Sequence, residues 1–165
     1  MKPPHIPLEK ITALDPIYSL TVPKDFEDEN GHMNVRHYMS VFDDAGYPMM
    51  EAVGINWTRH TAENTGGFDL EHHIHYLNEV HIGDEVVVYA RLISRTAKRV
   101  HYIMFMVNAT HNTLAALFEC VNSFADMSTR RTAPYPPDIA AKIDALVAQH
   151  QALDWDAPLC GVMRA

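Results

Sequence analysis

The sequence predicts an α+β domain with one long amphipathic helix, an earlier short strand and a later antiparallel meander. Three observations carry this. Tyr38, Phe42, Ala45, Met49 and Ala52 recur at spacings of three and four, the helical period, and Met39 and Val53 widen the stripe. Phe68–Asn78, Glu85–Ile93, Val100–Ala109 and Leu114–Asp126 read as four strands. Their connections, Glu79–Asp84, Ser94–Arg99 and Thr110–Thr113, are short, which suits antiparallel neighbours.

Each element has a local reason. Residues 1–16 contain several prolines and little pattern, and read as an N-terminal arm. Tyr18–Val22 alternates as a strand does, and Pro23 limits it to an edge or an end. Asn34 is placed to cap the long helix, because its side chain can accept from the free amides of the first turn. Pro48 removes one backbone bond and crowds the carbonyl of Asp44, so a kink, or a break and restart near Gly46–Tyr47, is expected. Gly54–Gly67 is polar and reads as a long loop, in which Trp57 and Arg59 are candidates to line a pocket mouth. In the strand from Val100, both the Val100, Tyr102, Met104, Met106 face and the His101, Ile103, Phe105, Val107 face are largely apolar. One face can cover the helix; the other calls for a further surface, hence an oligomer. Residues 136–150 close the chain as a packing helix with Ile139, Ile143, Leu146 and Val147 in one stripe and Pro137 at its start. Asp154–Ala165 has no assigned structure. With no repeat or linker, residues 1–165 are expected to form a single domain.

The charge balance narrows the partners. The chain has 13 basic and 21 acidic residues, a formal net charge of −8, which argues against nucleic acid or an anionic membrane as the main partner. Cys120 and Cys160 are the two cysteines and do not suggest a disulfide framework. No apolar run spans a bilayer and the first residues lack a signal-peptide core, so a cytoplasmic setting is the expectation.

The richest chemistry lies in Asp28-Glu-Asn-Gly-His-Met-Asn34, immediately before the long helix. A helix start presents unpaired N–H groups and partial positive charge. In a dry cleft those amides can stabilise an oxyanion forming on a carbonyl. Asp28, six residues before Asn34, is near enough to act on the same carbonyl, by direct attack or by activating water. The plainer alternative is that Asp28 and Asn30 only make Asx-type turns around Gly31.

Asp28-x-Asn30-Gly31-His32-Met33-Asn34, with Tyr38 and Phe42, resembles the signature of hotdog-fold acyl-CoA thioesterases of the 4-hydroxybenzoyl-CoA thioesterase type. Glu71-x-x-Ile74-x-Tyr76-Leu77, Gly83-Asp84 and Lys98-Arg99-x-His101 also resemble that family, in its branch associated with carnitine and betaine metabolism. The likeness runs from about Tyr18 to Arg131. It implies the hotdog fold, a curved antiparallel sheet wrapped around one long helix, in a homodimer or homotetramer with sites between subunits. It further implies that Asp28 is the catalytic carboxylate and that the backbone amide of Val35 polarises the thioester. Coenzyme A is then part of the substrate, with no separate cofactor.

Other residues take secondary expectations. His32 and Asn34 support the loop or contact the acyl group, and Asn30 and Gly31 shape the substrate site. Asp43 and Asp44 are second-choice acids. Lys98, Arg99, Arg130 and Arg131 are candidates for the phosphates of coenzyme A, since guanidinium groups suit bidentate phosphate contact. Glu71, His73 and His75 would share one strand face and could in principle hold zinc, but no further ligand stands at a recognised spacing, and no metal is expected. A trimethylammonium acyl group would favour an aromatic box, for which Tyr47, Trp57 and Phe68 are nominees. The sequence therefore points to an acyl-CoA thioester hydrolase. The alternatives are an enoyl-CoA hydratase of the same fold and a non-catalytic acyl-CoA binding module.

Overall fold

The structure, a computed structural model, describes residues 6–165. The chain forms α1 (Leu8–Thr12), β1 (Pro16–Thr21), a 3-10 turn (Lys24–Phe26), α2 (Val35–Ala52) and α3 (Trp57–Glu63). These are followed by β2 (Thr65–Tyr76), β3 (Glu85–Arg95), β4 (Arg99–Asn108), β5 (Thr113–Asp126), β6 (Arg131–Thr132) and α4 (Pro137–Gln151). The class is α+β, with an antiparallel sheet in the order β1-β3-β4-β5-β2 and β6 added to β5. The residues group into two compact units. Unit 1 runs to Pro48 and takes in Ile74–Ala90 and Met104–Phe118; unit 2 holds Met49–His73, Arg91–Ile103 and the chain from Glu119.

In unit 1 the expected helical stripe is the buried one. Tyr38, Val41, Phe42 and Ala45 of α2 are all buried, and the Phe42 ring stacks on Phe118 of β5 at 5.1 Å. Removing a buried ring of this kind costs about 3–5 kcal/mol, from lost transfer energy and the cavity left behind. β1 pairs with β3, Leu20 opposite Val86. The Glu79–Asp84 connection is held to β1 by Gly83 N–H to Val22 O and Val22 N–H to Asp84 O, each 2.9 Å. Gly83 has φ +86°, a conformation open to glycine. Asp84 is buried beside it and accepts from Asn108 Nδ2 at 2.7 Å and the His81 amide at 2.8 Å.

Unit 2 is packed around Ile139 and Ile143 of α4, Phe124 of β5 and Tyr135. The Phe124 and Tyr135 rings lie 5.1 Å apart. Arg59 of α3 forks onto Asp138 at the start of α4, with bonds of 2.5 and 3.0 Å. The C-terminal tail is tied down: Arg91 donates to the carbonyls of Trp155 and His150, and its guanidinium lies 4.2 Å over the Trp155 ring.

Several expectations need correction. Within the residues read as an arm, Leu8–Thr12 form α1, which buries Ile11 fully, and β1 already starts at Pro16. The first five residues, where the chain start was read, lie outside the described residues. α2 runs through Pro48 without a break. Its buried residues on either side, Ala45 and Met49, hold both turns in place against the cost of about 3 kcal/mol that an interior proline carries. Ala52 is exposed, at the helix end. The polar stretch Gly54–Gly67 contains α3, capped by the Asn56 side chain accepting from the Arg59 amide at 2.9 Å, and the first residues of β2. β2 does not neighbour β3; β1 holds that edge, and β2 lies beside β5 at the other end of the sheet. Every residue of β4 from Val100 to Asn108 is buried within the single chain, which removes the reason for inferring a partner from that strand.

Candidate active site

The loop before α2 is closed by backbone bonds that its sequence dictates. The Asp28 amide donates to His32 O at 3.0 Å and the Gly31 amide to Asp28 O at 3.1 Å, making a tight turn in which Gly31 has φ +81°. A side chain would be strained in that conformation. The Asn30 amide donates to Asp28 Oδ1 at 2.8 Å, an Asx turn. Two further bonds fix the loop in unit 1. Asn34 N–H reaches Phe26 O at 2.8 Å, and Met33 N–H reaches Val80 O at 2.7 Å. Met33 is buried beneath the loop, and Phe26 stacks on His37 of the first helical turn at 3.9 Å.

Asn34 both starts the helix and touches the carboxylate. Its Oδ1 accepts from the Arg36 amide at 3.2 Å, the capping bond, and its Nδ2 points to Asp28 Oδ2 at 3.5 Å. His32 Nδ1 lies 3.6 Å from Asp28 Oδ1. The Asp28 side chain keeps 15 % of its surface exposed. Its pKa is held below the ordinary aspartate value, first by the Asn30 amide and also by His32. It is therefore an ionised, partly solvated carboxylate. Oδ1 is occupied by a short amide bond, and Oδ2 has only the long Asn34 contact.

The amides of Asp28, Asn30, Gly31, Met33, Asn34, Arg36 and His37 all have acceptors in this network. Among the described hydrogen bonds none is donated by Val35, the first residue of α2. Its side chain does not close the spot off, since Val35 is 57 % exposed. An unsatisfied amide at a helix start, where the dipole favours negative charge, can donate to an anionic group placed against it. Tyr38, one turn on, is buried edge-on against Tyr76 at 5.2 Å, and its hydroxyl lies 3.5 Å from Asn78 O.

The loop thus brings together Asp28, Asn30, Gly31, His32, Asn34 and the Val35 amide. Asp43 and Asp44 lie on the exposed side of α2, with Asp44 accepting from Tyr18 at 3.5 Å. In unit 2, Trp57 is 82 % exposed on α3. Lys98 and Arg99, at the exposed turn into β4, lie by the β5–β6 end: Lys98 Nζ reaches Thr132 O at 3.4 Å, next to Arg131. Arg130 is exposed with φ +53°. Tyr47 and Phe68 are also exposed.

Sequence reasoning missed Phe26 and Val80, which anchor the loop, and named Tyr76 only within a motif, not as the partner of Tyr38 in the first helical turn. Their partners are contacts between segments, which no local spacing signals. It also missed a cluster on β2 and β5. Asp69 Oδ2 lies 3.0 Å from His72 Nε2, and Asp69 Oδ1 accepts from Cys120 Sγ at 3.3 Å and from Asn122 Nδ2 at 2.7 Å.

The comparisons with known proteins agree with this architecture. The family model described as thioesterase-like superfamily matches residues 22–143. A Pseudomonas aeruginosa protein named betainyl-CoA thioesterase is 29 % identical over 136 residues, 82 % of this chain and 86 % of its own. A Ruegeria pomeroyi protein named L-carnitine dehydrogenase/betainyl-CoA thioesterase is 29 % identical over 155 residues, 92 % of this chain but 31 % of that longer protein. Among solved structures, a hypothetical Staphylococcus aureus protein in complex with CoA superposes with a TM-score of 0.82 at 23 % identity, over 92 % of this chain and 96 % of that one. The 1,4-dihydroxy-2-naphthoyl-CoA thioesterase from Synechocystis gives a TM-score of 0.69 at 16 % identity, over 78 % and 95 %. At these identities the two structures speak for the fold, which is the hotdog fold expected from the sequence.

Proposed function

The chain belongs to the thioesterase-like superfamily, and on that premise we propose that it hydrolyses an acyl-CoA thioester through the Asp28 loop as a single working domain. The observation that carries the reading is one ionised carboxylate, Asp28, in the same closed loop as one unclaimed helix-start amide, that of Val35. The thioester carbonyl oxygen accepts from the Val35 N–H, and negative charge developing on it meets the positive end of the α2 dipole. Asp28 Oδ2, the less encumbered oxygen, attacks the carbonyl carbon or takes a proton from the attacking water. The carbon–sulfur bond then breaks and the thiolate of coenzyme A leaves and takes up a proton; water either has supplied the new oxygen of the acid or, after direct attack, hydrolyses the acyl–Asp28 anhydride. Asn34 and His32 hold the carboxylate; Asn30 and Gly31 give the turn that aims it. First-turnover hydrolysis in 18O-labelled water separates the two routes. An unlabelled first product, with label in Asp28, marks direct attack followed by cleavage of the anhydride at the Asp28 carbonyl, whereas water activation labels the product at once and leaves Asp28 unlabelled.

Three finer features are part of the proposal. The relatives named betainyl-CoA thioesterase support a small acyl group carrying a quaternary ammonium. Lys98, Arg99 and Arg131 offer cations for the phosphates of coenzyme A. A homo-oligomer is supported by Phe68, Leu70 and Tyr76, large exposed apolar side chains on the outermost strand β2.

The experiment is free thiol release from a panel of short aliphatic, long aliphatic, aromatic and betainyl thioesters of coenzyme A. Rapid release from betainyl-CoA supports both the class and the acyl group. Rapid release from another member keeps the class and changes the acyl group. Binding with no release from any of them overturns the proposal; hydration of a crotonyl thioester would then favour a hydratase, and binding alone an acyl-CoA binding module.

A further inference from the structure

The His-rich run Glu71–His75 invites a metal reading at Glu71, His73 and His75, but the structure assembles a different set of ligand atoms. On β2 and β5, in unit 2, the carboxylate of Asp69, the imidazole of His72 and the thiol of Cys120 place their ligand atoms within 4.8 Å of one another. We propose that Asp69, His72 and Cys120 form a zinc-type metal site with one coordination position left to water. This reading is independent of thioester hydrolysis.

Four features of the cluster carry it. The first is spacing. Zinc bonds of about 2.0–2.3 Å to oxygen, nitrogen and sulfur set tetrahedral ligand atoms about 3.5 Å apart. Here carboxylate oxygen and imidazole nitrogen are 3.0 Å apart, and carboxylate oxygen and sulfur 3.3 Å, so small side-chain movements admit an ion.

The second is donor chemistry. One thiol, one imidazole and one carboxylate suit zinc, whereas calcium and magnesium ask for oxygen alone. The third is conformation. Residues three apart on a regular strand point to opposite faces, yet the His72 ring meets the Asp69 carboxylate. Two ligands from one strand thereby converge on a third from its neighbour.

The fourth is support and access. Asn122 Nδ2 donates to Asp69 Oδ1 at 2.7 Å, the kind of outer hydrogen bond that orients a ligating carboxylate. Cys120 is fully buried, while the Asp69 and His72 side chains keep 31 % and 30 % of their surface exposed. The site is closed beneath and open above. On binding, the Cys120 S–H bond breaks, a sulfur–metal bond forms and the proton passes to solvent. The thiol that now donates to Asp69 becomes a thiolate ligand beside it.

The test uses the full chain stripped with a chelator and titrated with cobalt(II) chloride, then with zinc chloride. The expected result is one equivalent of cobalt bound, a near-ultraviolet thiolate-to-cobalt charge-transfer band, release of one proton, and loss of the band when zinc displaces cobalt. Cys120→Ser should abolish the band and Cys160→Ser should keep it. His72→Ala, a change at a partly exposed side chain that leaves the buried thiol in place, should weaken binding by about tenfold or more. The proposal is overturned by absence of saturable binding. It is equally overturned if Cys160→Ser rather than Cys120→Ser removes the band, or if His72→Ala leaves the affinity unchanged. Should Cys120→Ser fail to fold, the His72→Ala and Cys160→Ser results decide.

Discussion

Two carboxylates in this protein are built from the same parts and come to opposite ends. Asp28 and Glu119 each face a histidine and each accept a backbone amide. At Glu119 everything is tight: His101 Nε2 lies at 2.8 Å, the Cys160 amide at 2.6 Å, and the side chain is 4 % exposed. Burial works against its charge, but His101 and Cys160 outweigh that, and its pKa falls below the ordinary glutamate value. At Asp28 the amide lies at 2.8 Å, but the histidine stands off at 3.6 Å and one oxygen has only a 3.5 Å neighbour. Both groups are ionised at neutral pH. Only Asp28 has an oxygen that a substrate or a water could still reach. Glu119 spends its charge on pinning the C-terminal tail to β5.

That contrast can be broken at several points. Glu119→Ala would leave His101 buried without its partner and release the tail. Loss of one member of a buried pair costs about 3–5 kcal/mol, a fall in Tm of about 10 °C for a chain of this size. Specific activity of the folded fraction should be kept, and thermal unfolding alongside thiol release checks both. If activity is lost while Tm holds, the roles of the two carboxylates have been read the wrong way round.

Val35→Pro addresses the other half of the site. Proline lacks an N–H yet is tolerated at the first position of a helix, and the residue before it is extended, as a capping residue is. The account predicts kcat lowered about 10²-fold, the usual worth of one oxyanion donor, with Tm preserved. A variant that keeps wild-type kcat would remove the Val35 amide from the mechanism.

The pH profiles of the two groups should part. Both native pKa values are depressed, so each native carboxylate binds fewer protons than in the unfolded chain. For Glu119 this means stability that is fully present above its unfolded value of about 4.5 and is lost as pH falls through its lower native value. For Asp28 it means that kcat/KM stays on its plateau down past the ordinary aspartate value of 3.8 wherever the chain is still folded. An acid limb centred well above that value would assign the titration to another group. Smallest of all should be Asn34→Ala. Loss of the helix cap costs about 1 kcal/mol of stability, and the carboxylate, still held by the Asn30 amide, should lose less than about tenfold in kcat. Denaturant unfolding and steady-state rates measure the two effects separately.

How much of this was legible in the sequence follows from how local each feature is. The α2 stripe, the four long strands and the polar loop with its glycine are written in short-range spacing, and they appear where the pattern puts them. The α3 helix was missed because it buries none of its residues; its signal lies in Asn56 at one end and Asn64, with φ +50°, at the other. The pairing of β2 with β5 could not be read from a short Glu79–Asp84 connection, because β1 competes for the β3 edge. The apolar second face of β4 suggested a partner, yet that strand is buried within the chain, and the tail residues that pattern left unassigned include the buried Met163. In the candidate site, Asp28, Asn34 and Gly31 were legible because capping and turn chemistry are local. Phe26, Val80 and the Asp69–Cys120 pair, 51 residues apart, were not.

The measurement that bears most directly on the account is thiol release by Asp28→Asn beside the wild-type chain on whichever acyl-CoA is hydrolysed fastest. Asparagine keeps the size of the side chain and an oxygen for the Asn30 amide while removing the charge. The account predicts a loss of at least about 10³-fold in kcat with Tm unchanged within a degree or two. Wild-type turnover by Asp28→Asn would contradict it.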